Sequence, residues 1–204
     1  MSYEAVTDGE LAAVVTYLEM LAPSERETPP SPLSLRRIEH PDPTQYRELF
    51  RLVGAPWLWF SRLIMDDADL ASIIQDPKVE LFSVLDQADR EVGMLELDFR
   101  EDHQCELAFI GLVPQLSGMG HGRWLLVQAL KRAWREGVSR VHVHTCSLDH
   151  PAALSAYRRA GFDPFKRAIE RFPDPRLLGI LPLDAAPQIP VLGTPAGASS
   201  RPAS

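Results

Sequence analysis

An apolar, strand-forming run, Ile110 to Val113, passes through Pro114 into three alternating glycines, Gly118, Gly120 and Gly122, and then into helix-forming sequence from Arg123 through Leu125 and Leu126. Strand, glycine turn and helix in immediate succession require a fold that mixes sheet and helix, with the turn at a sheet end. Alternate glycines remove the Cβ atoms that would keep a ligand off the backbone. The helix that follows presents unpaired N–H groups at the positive end of its dipole. The sequence therefore predicts that residues 118–123 hold an anionic, phosphate-bearing cofactor.

A second element lies further on, where His150, Pro151, Ala152, Ala153, Tyr157, Gly161 and Phe162 form a helix and the turn that ends it. Together the two elements resemble the GNAT superfamily of acetyl-coenzyme A-dependent N-acetyltransferases. The family's loop reads Arg/Gln-x-x-Gly-x-Gly/Ala, and its later helix reads Asn-x-x-Ala-x-x-x-Tyr-x-x-x-Gly-Phe. Two registers of the loop compete. Gln115, Gly118 and Gly120 fit the pattern as written, and Ser117, Gly120 and Gly122 fit with serine in place of Arg/Gln. The second also reproduces the family's preceding proline, as Pro114, and its following leucine pair, as Leu125 and Leu126. Ser117 and His150 are then departures, the first removing a long side chain from the pyrophosphate and the second replacing an asparagine.

The chain has 204 residues, enough for one domain with a real core. Its 21 basic and 28 acidic residues give a formal net charge of −7, which argues against nucleic acid and suits an amine acceptor. Cys105 and Cys146 lack ligand spacing and read as free thiols. The N-terminus lacks the features of a signal peptide and no run approaches a membrane span, so a cytoplasmic protein is expected.

Residues 9–21 carry apolar side chains at helical spacing and stop before Pro23, which predicts an extra N-terminal helix. With the proline-rich linker, this makes 1–32 a separate segment. From residue 33 the pattern predicts a strand at 33–39, helices at 43–53 and 66–75, and strands at 79–85, 91–99 and 106–113. The loop and helix at 118–136, a strand at 140–146, a helix at 151–160 and a strand at 165–172 follow. The resemblance assigns this order, over 33–172, to an α+β fold: a mixed, mostly antiparallel twisted sheet, flanked by helices and splayed at the cofactor. Residues 173–204 are rich in Pro, Gly, Ala and Ser, and the last dozen are expected to be disordered. Leu177 to Leu183 is too apolar for that and is expected to pack on the domain or on a second subunit, as in a homodimer.

The resemblance implies transfer of an acetyl group to a primary amine of a small molecule or peptide, by direct attack in a ternary complex and without a metal. Cofactor contacts fall on the backbone of Ile110, Gly111 and Leu112, on Ser117, Gly118, Met119, Gly120, His121, Gly122 and Arg123, and on His150. An N–H near Leu112 or Val113 would polarise the thioester carbonyl. Tyr157 matches the family's helix tyrosine, a phenol able to protonate a departing thiolate. Glu106 stands at the offset before Pro114 where histone acetyltransferases of the superfamily place their glutamate base, with Glu96 and Asp98 in reserve. His142 and His144 alternate on one strand, and local hydrogen bonds are their expected use rather than a metal. The wall of the acceptor pocket falls on Trp57, Trp59, Phe60 and Arg62, with the arginine available to a carboxylate. A coenzyme A-binding sensor without turnover is the rival reading. A protein acetyltransferase, the third, needs an open groove, which the bulky Trp57–Phe60 segment argues against.

Overall fold

The computed structural model describes residues 3–24 and 26–195. Its strands are β1 (Glu10–Met20), β2 (Ser34–Arg37), β3 (Val79–Leu85), β4 (Glu91–Asp98), β5 (Gln104–Leu112), β6 (Arg140–Cys146) and β7 (Asp163–Pro173). The helices are α1 (Pro43–Gly54), α2 (Asp67–Ile74), α3 (His121–Ala133) and α4 (Ala153–Arg159). One seven-stranded sheet runs in the order β2-β3-β4-β5-β6-β1-β7. Every neighbouring pair is antiparallel except β5 and β6.

Residues 10–20 correct the helix expected at 9–21: they form the strand β1, set between β6 and β7. Leu18 and Met20 are buried on one face of the sheet and Ala13 and Val15 on the other, so the run is apolar on both sides, as an interior strand requires. Such a run satisfies helical spacing by accident, whereas the β-branched Val14, Val15 and Thr16 favour the extended chain.

Alternation along the strands divides the core in two. On one face, Phe82, Val84, Leu95, Leu97, Leu107 and Val143 pack with Trp124, Leu125 and Ala129 of α3 and with Tyr157 and Ala160 of α4. On the other, Leu81 and Met94 pack with Tyr46, Leu49, Phe50 and Val53 of α1 and Leu70 and Ile74 of α2. Local chemistry fixes the helix starts. Asp42 accepts from the N–H groups of Thr44 and Gln45 at 2.9 and 3.1 Å, and Asp66 from that of Asp69 at 2.8 Å.

Beyond β7 the chain packs back on the domain. Leu181 and Ala186 form a third buried cluster with Leu58. Arg176, 2% exposed, holds Asp174 through Nε at 2.9 Å and Nη2 at 2.7 Å and donates to the carbonyls of Ala185 and Ile189. Leu192 accepts from the N–H of Gly9 at 2.7 Å. The expectation for the last dozen residues falls mainly on 196–204, outside those described.

Candidate active site

β5 and β6 pair in parallel only at Gln104↔Arg140, Cys105↔Val141 and Glu106↔His142. Past Glu106 they part, β5 staying on β4 as far as Leu112 and β6 on β1 as far as Cys146. The register of β5 on β4 shifts between Glu96↔Phe109 and Leu97↔Leu107, so Ala108 is an extra, bulged residue where the strand turns from its neighbour. A cavity of about 1100 Å³ fills the cleft.

Which backbone groups face that cleft follows from the β4–β5 ladder. The N–H of Val113 donates to Val92 at 2.9 Å. It is therefore spent on the sheet, which removes it as a partner for a thioester carbonyl. Because hydrogen-bonded and non-hydrogen-bonded pairs alternate, Gly111 also points its polar groups at β4, while those of Ile110 and Leu112 point into the cleft. Gly111 serves packing instead: a Cβ there would lie 2.7 Å from Val53 and 3.3 Å from the Trp59 ring.

At one end of the cavity, Pro114–Leu116 forms a single 3₁₀ turn and the chain enters α3 through Gly118 and Gly120, at φ 77° and 83°. Gly120 is the residue before the helix and Gly122 lies in its first turn. Among the described residues no side chain caps this end, and a Cβ built at Gly118, Gly120 or Gly122 would meet nothing within 4 Å. The Arg123 N–H is taken by the Gly120 carbonyl at 3.1 Å, which leaves the N–H groups of His121 and Gly122 at the helix start without a side-chain cap. Arg26, Ser117, Arg123 and Arg159 line the same cavity, while Met119 is exposed. His121 is hydrogen-bonded to Ser31 of the linker at 3.0 Å. His150 accepts the N–H of Ala152 on Nδ1 at 3.1 Å, the local turn an asparagine would make, which accounts for its place before α4.

Within the cavity Tyr157 is buried, and burial, with the Asp149 charge adding to it, pushes its phenol up from the ordinary value. Its hydroxyl has no hydrogen-bond partner among the described residues. Glu106 accepts from His144 Nδ1 at 3.2 Å. That bond holds the carboxyl below the usual carboxylate range against the cost of burial, and raises the His144 imidazole. His142 is lowered by burial. Among the described residues no group of three or more His, Cys, Asp or Glu could hold a metal ion.

The acceptor wall departs from expectation at Arg62, and both reserve acids are spoken for. Arg62, expected to be free for a carboxylate, is 8% exposed and bonded to the fully buried Glu96 at 2.6 Å. Tyr46 donates to the other Glu96 oxygen at 2.5 Å. Burial pushes the Glu96 carboxyl up, but with both oxygens engaged it has no access to a substrate. Asp98, the other reserve acid, is likewise occupied, by Arg100 at 2.6 Å. The three aromatics go to different partners. Trp57 meets His150 edge-on at 5.0 Å, and Phe60 lies 5.0 Å from Phe172. Trp59 packs against Phe50 and Phe109. All three also line the cavity.

Asp149, which the sequence reading passed over, ties these parts together. It accepts from Trp59 Nε1 at 3.0 Å, from the Thr145 hydroxyl at 2.8 Å and from the Cys146 N–H at 2.8 Å. Trp59 sits against β5 and Asp149 follows β6, so this hydrogen bond bridges the two diverging strands. An aspartate between a strand and a His-Pro helix start was the only signal available.

The GNAT acetyltransferase family model matches residues 39–162, more than half of the chain. The chain belongs to the GNAT acetyltransferase family. The chain is similar in fold to a GCN5-related N-acetyltransferase from Sphaerobacter thermophilus, with TM-score 0.59, 18% identity, and coverage of 78% of this chain and 51% of that one. It thus spans about half of that protein's length. It is also similar to an aminoglycoside acetyltransferase from an uncultured soil metagenomic sample, solved with trehalose, with TM-score 0.51, 20% identity, and coverage of 64% and 88%. The same aminoglycoside enzyme solved with sisomicin gives TM-score 0.51 at 19% identity. No curated protein sequence matches the chain. Among the described residues, no helix is long and apolar enough to cross a membrane.

Proposed function

We propose that this acyltransferase moves an acetyl group from acetyl-coenzyme A to a primary amine of a small molecule or peptide, by direct attack while both are bound. The observation that carries the reading is the parting of β5 and β6 immediately after Glu106. It leaves the polar groups of Ile110 and Leu112 turned into a cavity whose one end is the uncapped start of α3. The cofactor fits these residues: three glycines leave room for phosphates, Arg123 and Arg159 supply charge, and the strand edge offers hydrogen bonds to an amide-bearing arm.

Bound acetyl-coenzyme A supplies an activated acyl group as a thioester. The chain's residues do the rest. The N–H of Leu112 is the backbone donor left for the developing oxyanion, since that of Val113 is spent on β4. Tyr157 gives its proton to the departing sulfur as the C–S bond breaks; burial, which disfavours the phenolate, keeps that proton on the ring oxygen until then. Glu106 and His144, hydrogen-bonded to each other at the mouth of the cleft, are the pair able to take the proton from the incoming amine. Trp57, Phe60 and Phe172 form the acceptor wall, while Arg62 supports it from behind through Glu96. Reduced Cys105 and Cys146 fit a reaction in the cytoplasm.

The test is a panel of primary amines, aminoglycosides, amino acids and short peptides offered with acetyl-coenzyme A, with free thiol release followed. Release with at least one amine, and the acetylated product by mass, are expected. A raised melting temperature with coenzyme A but no release with any amine would favour the sensor reading.

A further inference from the structure

Glu106 is the last residue of β5 in register with β6, and His144 lies two residues along β6 from its partner His142, on the same face. Both line the cavity where the cleft opens. A carboxylate only accepts, so the contact at 3.2 Å requires the proton on Nδ1 and leaves the lone pair of a neutral His144 on Nε2. That nitrogen has no partner among the described residues. The ring is steadied by Tyr17 at 5.7 Å. The His144 side chain is 48% exposed against 32% for Glu106, so a proton gained on the imidazole has a direct way to water.

We propose that His144 Nε2 takes the proton from the acceptor's ammonium group and that Glu106 is the positioning residue that fixes its tautomer and orientation. This rests on the amine-acetylating reading above. The ammonium loses one proton to Nε2, which passes it to solvent. The freed lone pair then forms the N–C bond to the acyl carbon, and the C–S bond breaks with its electron pair on sulfur. Sulfur takes the Tyr157 proton, and the second proton leaving nitrogen restores the phenol. The sum is one amide, one thiol and one proton released.

The charges around His144 are consistent with that role. Glu106 faces it from β5, His142 lies beside it on β6, and Asp149 follows β6. Tyr17 faces it from β1, with Lys166 of β7 4.8 Å over the Tyr17 ring and Glu170 also on β7. Glu106, Asp149 and Glu170 favour the imidazolium, which makes His144 a stronger base than free imidazole. The same hydrogen bond makes Glu106 a weaker base than an ordinary carboxylate.

The experiment pairs the pH dependence of kcat, for the fastest amine in the panel, with NMR titration of the His144 ring in the full chain. In the unsubstituted protein kcat should rise through an apparent pKa above the ~6.5 of free imidazole and equal to the NMR value. Glu106→Gln should move both downward together and cost about tenfold in kcat. His144→Gln should abolish that limb and lower kcat near neutrality about 10²-fold, with the KM for acetyl-coenzyme A unchanged. Retention of the limb in His144→Gln, with its loss in Glu106→Gln, would make Glu106 the base and overturn the proposal. A limb that does not follow the NMR titration would overturn it equally. Failure of every amine in the panel removes the parent reading itself, a result distinguishable because no variant is needed to see it.

Discussion

At the scale of single residues, the glycines before α3 are not equivalent. Gly120 sits at φ 83°, so any side chain there strains the backbone as well as filling the cavity. Gly122 has ordinary helical backbone and open space beyond its missing Cβ. Gly122→Val should therefore leave the unliganded melting temperature within a few degrees of the original and abolish the shift produced by coenzyme A. A retained shift, read by thermal denaturation, would remove the phosphate from this loop. Tyr157→Phe should lower kcat about 10²-fold with coenzyme A affinity nearly unchanged, measured by steady-state kinetics and calorimetry. The Glu106–His144 pair also has a pH signature in stability. A raised His144 contributes fully below the ordinary imidazole value and loses its effect as pH rises through the raised one. A lowered Glu106 contributes fully above the ordinary carboxylate value and loses its effect as pH falls through the lowered one. Both act together between roughly pH 4.3 and 6.5. Glu106→Gln should thus cost more unfolding free energy at pH 5.5 than at pH 9, by under ~1 kcal/mol because the pair is partly exposed, as denaturant titration at the two pH values would read. The glycine turn and Tyr157 were legible in the sequence because each lies within one local motif. The pairing of Glu106 with His144 was not, because two strands separated by α3 bring them together.

At the scale of elements, the strands and helices from residue 33 to 173 were legible because each has a clear period and clear stops. Asp42, Pro43 and Asp66 open helices, and the bounds of β6 were readable outright. β1 was not, because its apolar residues face both sides of the sheet and so carry no period of two. Only the location of β6 and β7 makes it a strand. Arg62 was misjudged for a related reason: nothing near it in sequence announces that Glu96 is buried beneath it. The C-terminal extension was half legible. Its apolar stretch predicted packing, but the Asp174–Arg176 pair that anchors it did not stand out. Arg176→Met would leave Asp174, 1% exposed, without its partner. The expected cost is about 3–5 kcal/mol in denaturant unfolding. Because Leu181 and Ala186 pack on Leu58 between the two tryptophans, the KM for the acceptor should rise more than that for acetyl-coenzyme A. Unchanged stability would mean the extension is not tied to the domain through this arginine.

For the whole molecule, one cavity of about 1100 Å³ exceeds what a single drug-sized ligand needs and suits two substrates meeting inside it. Coenzyme A at a hundred times its Kd should stabilise the folded chain by ~2.7 kcal/mol, a rise in melting temperature that grows with ligand concentration. The placement of β1 has a consequence for how the protein is made. Val15 pairs with Cys146 on one side and Ala168 on the other, so this strand leaves the ribosome well before either of its neighbours. Until β6 and β7 have emerged this apolar segment lacks its sheet neighbours and is a ready target for chaperones or for pairing with another nascent chain. Closing so long a loop is slow, and β1 should insert only after α4 has brought β7 alongside. The seating of β1 between β6 and β7 then completes the sheet on one side of the cleft.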